Sequence, residues 1–401
     1  MHLAVTFTNF GPYHLARLRA LGVALRREGG RLTAYELAGS ERRYPWLVEA
    51  GEEPFDWTRL FPDRAVELLA ASECSGAMRE ALERDRPDVV AIVGYSRPES
   101  MAALGWADRR GLPTILMSES QHIDHPRVWW KEAIKRRRVR RCAAGLVGGP
   151  RHRDYLVSLG MPADRIALGY NAVDNKAFAD AADRARRDPN SRAGLPVRPY
   201  FLAVNRFVPE KNLVRLVRAF ARYREAAGEG AWDLVLCGGG PDEPSILAAI
   251  EASGHASAVH LPGFLQAGEQ AHWQAHAGGF VHPSLMEPWG LVVNEAAACG
   301  LPLLVSDRAG CVETLVPDGA GRRFDPNDES QIADCLGWLA GLPVERRAAM
   351  GRFAAENAAE WGPERFARGT LEAARIAIER PAGRKSASFL AMGATTKGWS
   401  A

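Results

Sequence analysis

Residues 282–307, HPSLMEPWGLVVNEAAACGLPLLVSD, combine two acids with a predicted helix start. Glu287 lies in the loop, and Glu295 follows after seven intervening residues, within an apolar run. The free N–H groups of a helix that begins near Gly290 and Leu291 would bind an anion. A buried carboxylate needs hydrogen-bond donors, and ribose or sugar hydroxyls would supply them to Glu295. The alternative is that Glu295 lies on the solvent-exposed face of the helix.

A second group of charged residues lies in LAVNRFVPEKNL, residues 202–213. Arg206 and Lys211 flank a short loop between a predicted strand and a helix, so two cations and a helix N-terminus converge where a diphosphate fits. Such cations would neutralise the charge on a departing nucleoside diphosphate. The chain contains no Asp-x-Asp motif, so we expect no metal and no other cofactor. Alternatively, both cations are solvated at a surface turn.

Two glycine-containing turns carry weaker signals. CGGGPDE, residues 237–243, lacks the GxGxxG spacing and the first-strand position of a dinucleotide fingerprint, which disfavours an NAD-dependent oxidoreductase. In TNFGPYHLARL, Gly11 occupies the first strand-to-helix turn, where a phosphate or an acceptor would meet a helix start. His14 in the same turn is either a ligand contact or a helix-surface residue.

The elements that must position these residues alternate along the chain. Short apolar runs such as DVVAIVGY and PTILMSE alternate with helical patterns, and the series occurs twice in 401 residues. This predicts an α/β protein with two doubly wound, Rossmann-like domains facing each other across a cleft, with ligands at the carboxyl ends of the strands. The predicted parts are an N-terminal domain (1–172), an interdomain connection (173–198), a C-terminal domain (199–375), and a helix end with a mobile tail (376–401).

Composition excludes several other classes of protein. Lys and Arg number 51 against 48 Asp and Glu, and a net charge of +3 is too small for a dedicated nucleic-acid binder. No apolar run approaches the roughly 18 residues needed to cross a bilayer. The start, MHLAVTFTNFG, is typical of a strand rather than a signal peptide, so we expect a cytoplasmic protein. The six cysteines lack CxxC spacing and are expected to be reduced, mostly buried thiols.

A basic run, KRRRVRR at residues 135–141, has six cations in seven positions and follows Trp129 and Trp130. A basic helix with aromatic residues binds anionic lipid surfaces, so Trp129–Arg141 predicts peripheral contact with the inner face of the membrane. A solvated helix face is the alternative.

The segment EPWGLVVNE, followed by AAACGLPLLVSD, resembles the retaining glycosyltransferases of family 4, which have the GT-B fold. Their signature is two glutamates separated by seven residues. The resemblance covers residues 199–326 by motif and the N-terminal domain by architecture. It implies that the C-terminal domain binds a nucleotide diphosphate sugar. The N-terminal domain would bind the acceptor, which is a carbohydrate, a glycolipid or a small molecule.

The same resemblance implies roles for individual residues. Glu287 would lie against the donor sugar, and Glu295 would bind the nucleotide ribose. Arg206 and Lys211 would bind the phosphates, and the backbone at Gly290 and Leu291 would contact sugar and phosphate. Gly239 would belong to the glycine-rich turn of the donor site, and Gly263 with Phe264 to the turn that binds the base.

The N-terminal domain departs from the family pattern after PTILMSE. Family members often have a catalytic-site His there, whereas this chain has Glu119, with His122 shortly after. We predict that Glu119, or otherwise His122, faces the reacting sugar, where a carboxylate would stabilise positive charge on the anomeric carbon. Alternatively, Glu119 only caps the following segment.

Two alternatives to sugar transfer remain open at this stage. One is a nucleotide-sugar 2-epimerase of similar fold, although the two-glutamate motif favours transfer. The other is a non-catalytic nucleotide-sugar-binding protein, which stays open because Glu119 stands where relatives have His.

Overall fold

The computed structural model describes residues 1–42, 48 and 51–380, which form two domains, each around a parallel sheet. The strands of the first sheet are β1 (His2–Phe7), β2 (Arg31–Ser40), β3 (Asp56–Ala65), β4 (Val89–Val93), β5 (Thr114–Ser118), β6 (Ala144–Val147) and β7 (Ile166–Leu168). Their order is β3-β2-β1-β4-β5-β6-β7. The strands of the second sheet are β8 (Tyr200–Val204), β9 (Asp233–Cys237), β10 (Val259–Gly263), β11 (Gly279–His282), β12 (Leu303–Ser306) and β13 (Gly321–Phe324). Their order is β10-β9-β8-β11-β12-β13.

Helices form most of the connections between the strands, which is the usual form of a parallel crossover. The first domain contains α1 (Pro12–Arg27), α2 (Ala71–Asp85), α3 (Pro98–Arg110), α4 (Trp129–Val139) and α5 (Pro150–Ser158). The later helices are α6 (Asn175–Arg187), α7 (Leu213–Ala227), α8 (Glu243–Ala252), α9 (Ala267–His276), α10 (Leu291–Ala298), α11 (Val312–Leu315), α12 (Glu329–Ala340), α13 (Val344–Ala359) and α14 (Pro363–Glu379). Short 3-10 helices cover Val66–Leu68, Ala163–Arg165, Pro209–Lys211, Gly228–Gly230 and Ala256–Ala258.

Each sheet has a hydrophobic core on both faces. Successive side chains of a strand point to opposite faces, so Leu3 and Val5 of β1 join one core while Ala4 joins the other. In β8, Phe201 and Leu202 likewise belong to different cores. Strands buried on both faces explain the continuous apolar runs in the sequence, and the predicted pair of doubly wound α/β domains is confirmed.

Two helices lie elsewhere than the sequence-based boundaries place them. Residues 175–187, within the predicted connection, form α6, which packs on α9 and α10 of the second domain. Helix α14 crosses back and packs on α1, and Phe366 and Ala374 belong to a core of the first domain. The chain therefore changes domain after Ala359, before the predicted boundary at residue 375. The predicted mobile tail lies outside the described residues from 381 onwards.

Other sequence expectations concern membranes and thiols. Among the described helices, none combines the length and the hydropathy needed to span a bilayer. All six cysteines are buried and unpaired, as predicted.

Candidate active site

The loops that follow the strands of the two sheets meet each other. Gln121, after β5, is buried, and its Nε2 donates to the backbone oxygens of Glu287 at 2.9 Å and Arg308 at 3.2 Å. His152, at the start of α5, is also buried and lies 2.6 Å from the oxygen of Pro288. Because its Nδ1 accepts the N–H of Gly149, its Nε2 carries the proton and donates to Pro288. The carboxyl ends of both sheets thus line one interface, where ligands of such folds bind.

Glu287 lies at the centre of this interface and is buried. Its Oε2 accepts from Lys211 Nζ and lies 2.8 Å from His282 Nε2. Burial alone would raise the pKa of Glu287, but the Lys211 ammonium and the His282 hydrogen bond outweigh it and lower the pKa to about 2. Glu287 therefore carries a fixed negative charge at neutral pH.

The loop after β8 holds Lys211 against Glu287. Lys211 ends a 3-10 turn, and Asn212 follows in the left-handed region at φ 59°. Asn212 Nδ2 donates to the backbone oxygens of Pro283 at 3.1 Å and Pro326 at 2.8 Å, which fixes the loop beside residues 282–287. The Lys211 side chain is only 15% exposed, so the alternative of a solvated surface cation is wrong for Lys211. Arg206 is half-buried in the same loop.

Helix α10 begins where the sequence predicts. Gly290 precedes its first residue with φ 103°, a conformation that glycine adopts at no steric cost and other residues rarely adopt. Trp289 beside it is buried and donates its indole N–H to Asn294 Oδ1 at 2.9 Å. The backbone at Gly290 and Leu291 is thereby held next to the Glu287 loop.

Glu295 lies one turn into α10 and is 1% exposed, so the solvent-exposed alternative is wrong. Its Oε1 accepts a hydrogen bond from the hydroxyl of Tyr13, which belongs to the first domain. Burial raises the pKa of Glu295 to about 7, against smaller opposing effects of Tyr13 and Gln274. A group that titrates near neutrality therefore lies where the ribose contact was predicted.

The predicted glycine-rich turn and the predicted base-binding turn lie beside the β8 loop. Gly239 accepts the N–H of Phe207 at 2.8 Å through its carbonyl. A side chain at Gly238 would collide with the oxygen of Asn205, so only glycine permits this close approach. Gly263 has φ 84°, and Phe264 beside it is half exposed. The structure therefore brings the predicted Gly239 and Gly263 turns to the same edge of the sheet.

Glu119 follows β5, as predicted. Its Oε1 accepts from Asn171 Nδ2 at 2.6 Å. Burial raises the pKa of Glu119 and the charge of Glu287 adds to the effect, while Arg17 and Asn171 oppose it. The negative charge of Glu287 in the second domain therefore contributes to the raised pKa of Glu119 in the first domain.

His122 lies apart from these contacts. Its ring is exposed and meets Tyr155 edge-on, with 6.1 Å between the ring centroids. Gln121, rather than His122, is the residue of this loop that contacts the Glu287 segment.

The first turn, with Gly11 and His14, is closed on itself. His14 Nδ1 accepts the N–H of Gly11 at 3.1 Å, and its ring lies 4.5 Å from that of Phe7. Burial lowers the pKa of His14 to about 3, so the ring is neutral. The Gly11 N–H that was predicted to meet a phosphate is thus paired with His14, and Tyr13 is the side chain of this turn that reaches the other domain.

Comparison with known proteins shows which family and which fold the chain resembles. Residues 176–357 match the family model described as glycosyl transferases group 1. The chain is 32% identical over 270 residues to D-inositol 3-phosphate glycosyltransferase of Paenarthrobacter aurescens, covering 66% of this chain and 64% of that protein. It is 32% identical over 186 residues to a GDP-mannose-dependent alpha-(1-6)-phosphatidylinositol monomannoside mannosyltransferase of Mycolicibacterium smegmatis, covering 45% and 48%. The chain thus spans less than two thirds of either relative.

Solved structures share the whole architecture. Sucrose-phosphate synthase of Thermosynechococcus elongatus superposes with a TM-score of 0.73 at 19% identity, over 94% of this chain and 99% of that one. The Anabaena protein HepE, solved with UDP and glucose, gives 0.69 at 14% identity, over 93% and 98%. The fold is GT-B, and residues 176–357 are the part of the chain that matches the glycosyl transferases group 1 model.

The matched region, residues 176–357, contains Lys211, Glu287 and Glu295, which are central to the site predicted from the sequence. The contacts from the other domain were missed, namely those of Tyr13, Gln121 and His152. Tyr13 and Gln121 each lie directly beside a predicted position, His14 and His122 respectively, but no spacing distinguishes them. The described residues also contain no group of three His, Cys, Asp or Glu side chains placed to hold a metal ion.

Proposed function

We propose that the protein transfers a sugar from a nucleoside diphosphate sugar to an acceptor hydroxyl, with retention at the anomeric carbon and without a metal ion. The observation that carries this proposal is the Glu287 carboxylate, buried and held ionised by Lys211 and His282 within the region that matches the group 1 model. A fixed negative charge at a domain interface can orient a sugar through its hydroxyl groups.

The donor would lie along the second domain. Glu295 would accept hydrogen bonds from the ribose, and the base would lie against the backbone near Gly263 and Phe264. The diphosphate would lie between the N–H groups at Gly290 and the cations Arg206 and Lys211. These cations would neutralise the charge that develops as the bond between the anomeric carbon and the diphosphate oxygen breaks.

The acceptor would enter from the first domain. Its hydroxyl oxygen would form the new bond to the anomeric carbon while the diphosphate leaves, and its proton would go to the departing phosphate. Glu119 would face positive charge on the anomeric carbon, a position supported by its place at the end of β5, two residues before Gln121, which contacts the Glu287 backbone. Contacts between the domains, such as Gln121 to Glu287, would exclude water that hydrolyses the donor.

Two relatives guide the choice of acceptors for a test. One is named for D-inositol 3-phosphate and the other for a phosphatidylinositol monomannoside. We propose that the acceptor is a polyol, either free or attached to a lipid, and that the protein works at the cytoplasmic side of the membrane.

The test is incubation of the full chain with UDP-, GDP- and ADP-sugars and each acceptor, in excess EDTA, followed by detection of the nucleoside diphosphate and the glycoside. We expect both products, in equal amounts, with one donor. Conversion of the donor to an epimer without use of acceptor would identify a 2-epimerase. Tight nucleotide binding with no product from any donor would identify a binding protein. Loss of transfer with EDTA, restored by magnesium or manganese, would contradict the metal-free mechanism.

A further inference from the structure

The segment Trp129–Arg141 has no part in the proposed sugar transfer, and its orientation is fixed by contacts on one side. Lys135 Nζ donates to Glu132 at 2.7 Å and to the hydroxyl of Tyr155 at 3.0 Å. Arg138 donates to a backbone oxygen of the same domain at 2.8 Å. Lys135 and Arg138 are therefore held inside the domain, and the acid Glu132 is turned inward with them. Arg141, at the end of the run, pairs with Asp108 of the same domain.

The opposite side of α4 exposes large apolar side chains. Trp129 is 83% exposed, Trp130 48% and Ile134 43%. Large aromatic and aliphatic side chains grouped on a charged helix mark an interaction surface rather than an ordinary solvated face. Trp side chains are favoured at the boundary between lipid chains and headgroups, where an apolar ring carries one polar N–H.

Four exposed cations surround these apolar residues: Lys131, Arg136, Arg137 and Arg140. None of the four forms an ion pair with a carboxylate in residues 1–42, 48 and 51–380. Their charge is therefore not neutralised locally. We call the three apolar residues and these four cations the α4 patch.

The α4 patch lies next to the loop that contributes to the candidate active site. Arg127, just before α4, donates to the backbone oxygens of Gln121 and His122. Gln121 in turn contacts the backbone of Glu287 in the other domain. The start of α4 is thus tied to the first-domain side of the cleft.

We infer that the α4 patch docks the protein on an anionic lipid surface, with the two Trp side chains at the headgroup boundary and the cations on lipid phosphates. Charge complementarity selects this occupant, because unpaired cations beside exposed aromatic residues match a negatively charged bilayer surface. Docking in this way holds the first-domain side of the cleft at the headgroups. The inference goes beyond sugar transfer, and its test does not depend on activity.

The test is co-sedimentation of the full chain with vesicles of phosphatidylcholine alone or of phosphatidylcholine mixed with phosphatidylglycerol. We expect binding to the mixed vesicles only, weakened by added salt. Arg137→Gln with Arg140→Gln should reduce this binding by more than tenfold, since each cation near such a surface contributes roughly fivefold. Trp129→Ala with Trp130→Ala should reduce binding to the mixed vesicles more than the two Arg substitutions do.

Matched controls separate docking from a general charge effect. Arg346→Gln with Arg352→Gln makes the same charge change at exposed positions of α13 and should bind vesicles normally. Unchanged melting temperatures would show that all variants are folded. Equal binding to both vesicle types, binding to neither, or an equal loss in the α13 control would overturn the inference. The sugar-transfer assay is separate, so its failure would leave a positive vesicle result standing.

Discussion

The two sides of the cleft are built differently. On the second domain, Lys211 Nζ and His282 Nε2 both contact the Glu287 carboxylate, so the cluster is formed within one domain. On the first domain, Tyr13 and Gln121 come from separate loops, and their partners lie in the other domain. The second domain thus holds a preformed charged site, whereas the first-domain side acquires its contacts when the domains meet. Variants on the two sides should therefore fail in different ways.

The largest effect is expected within the preformed cluster. Lys211→Ala should lower the turnover of sugar transfer by about 10² to 10³, as expected for the loss of a preorganised group that stabilises transition-state charge. The reduction in donor affinity should be smaller. Steady-state kinetics would show the difference, with Arg218→Ala on the exposed face of α7 as a control. Near-normal turnover in Lys211→Ala would remove the cluster from the reaction.

The next largest effect concerns Glu295. Glu295→Gln should weaken nucleoside diphosphate binding by roughly 1.5 to 3 kcal/mol, because a charged hydrogen bond to the ribose is lost. Calorimetry measures this directly. An unchanged affinity in the folded variant would contradict the ribose assignment.

On the first-domain side, Glu119→Gln should cut sugar transfer at least tenfold, about 1.4 kcal/mol on the barrier. The melting temperature and the nucleotide affinity should stay near those of the wild type, since Glu119 belongs to the first domain and the proposed nucleotide site belongs to the second. His122→Ala is the control and should be active, because His122 is exposed and directed at Tyr155. The opposite outcome, an active Glu119→Gln and an inactive His122→Ala, would transfer the role to His122.

A pH effect follows from the burial of Glu295, which raises its pKa to about 7. Below that pH the carboxyl is mostly protonated, and a neutral carboxyl accepts hydrogen bonds from ribose more weakly than the carboxylate does. Nucleotide affinity should therefore rise up to about tenfold between about pH 6 and pH 8. Calorimetry of Glu295→Gln over the same pH range measures the change in affinity that is due to titration of the nucleotide phosphates. Identical pH profiles for the two proteins would exclude Glu295 as the titrating group.

The smallest effect is expected for the contact between the domains at Tyr13. Its hydroxyl donates to the Glu295 carboxylate, the group proposed to accept hydrogen bonds from ribose. Tyr13→Phe should therefore tighten nucleotide binding by a few fold, corresponding to about 0.5 to 1.5 kcal/mol for one hydrogen bond. A weaker affinity in this variant would show that Tyr13 belongs to the nucleotide site rather than competing with it.

This difference between the two sides also explains what the sequence could predict. Glu287, Gly290 and Glu295 lie in one continuous segment whose spacing is set by a strand end, a loop and a helix start, so local rules locate them. The glycine-rich turn at residues 238–240 is likewise visible as a continuous segment of the sequence, although the contact with Asn205 that requires glycine at Gly238 is visible only in the structure. The two α/β domains followed from alternating apolar runs and helical patterns for the same reason.

The features of the site and the fold that the sequence did not predict depend on contacts between distant parts of the chain. The hydroxyl of Tyr13 acquires its partner from a residue 282 positions later, and α14 crosses back to pack on α1. No periodicity or spacing in the sequence encodes such a pairing. His14 shows the converse, since it was selected as a ligand contact by its place in the turn but is paired with Gly11 in the same turn.

The central claim is that this cleft transfers a sugar with retention, using the Glu287 cluster. The most direct measurement is proton NMR of the reaction with the active nucleoside diphosphate sugar and acceptor, observed from the first turnover, for the wild type and for Glu287→Gln. We predict that the new glycoside has the anomeric configuration of the donor and that Glu287→Gln forms little of it while remaining folded. A product of inverted configuration, or equal product formation by Glu287→Gln, would contradict this account.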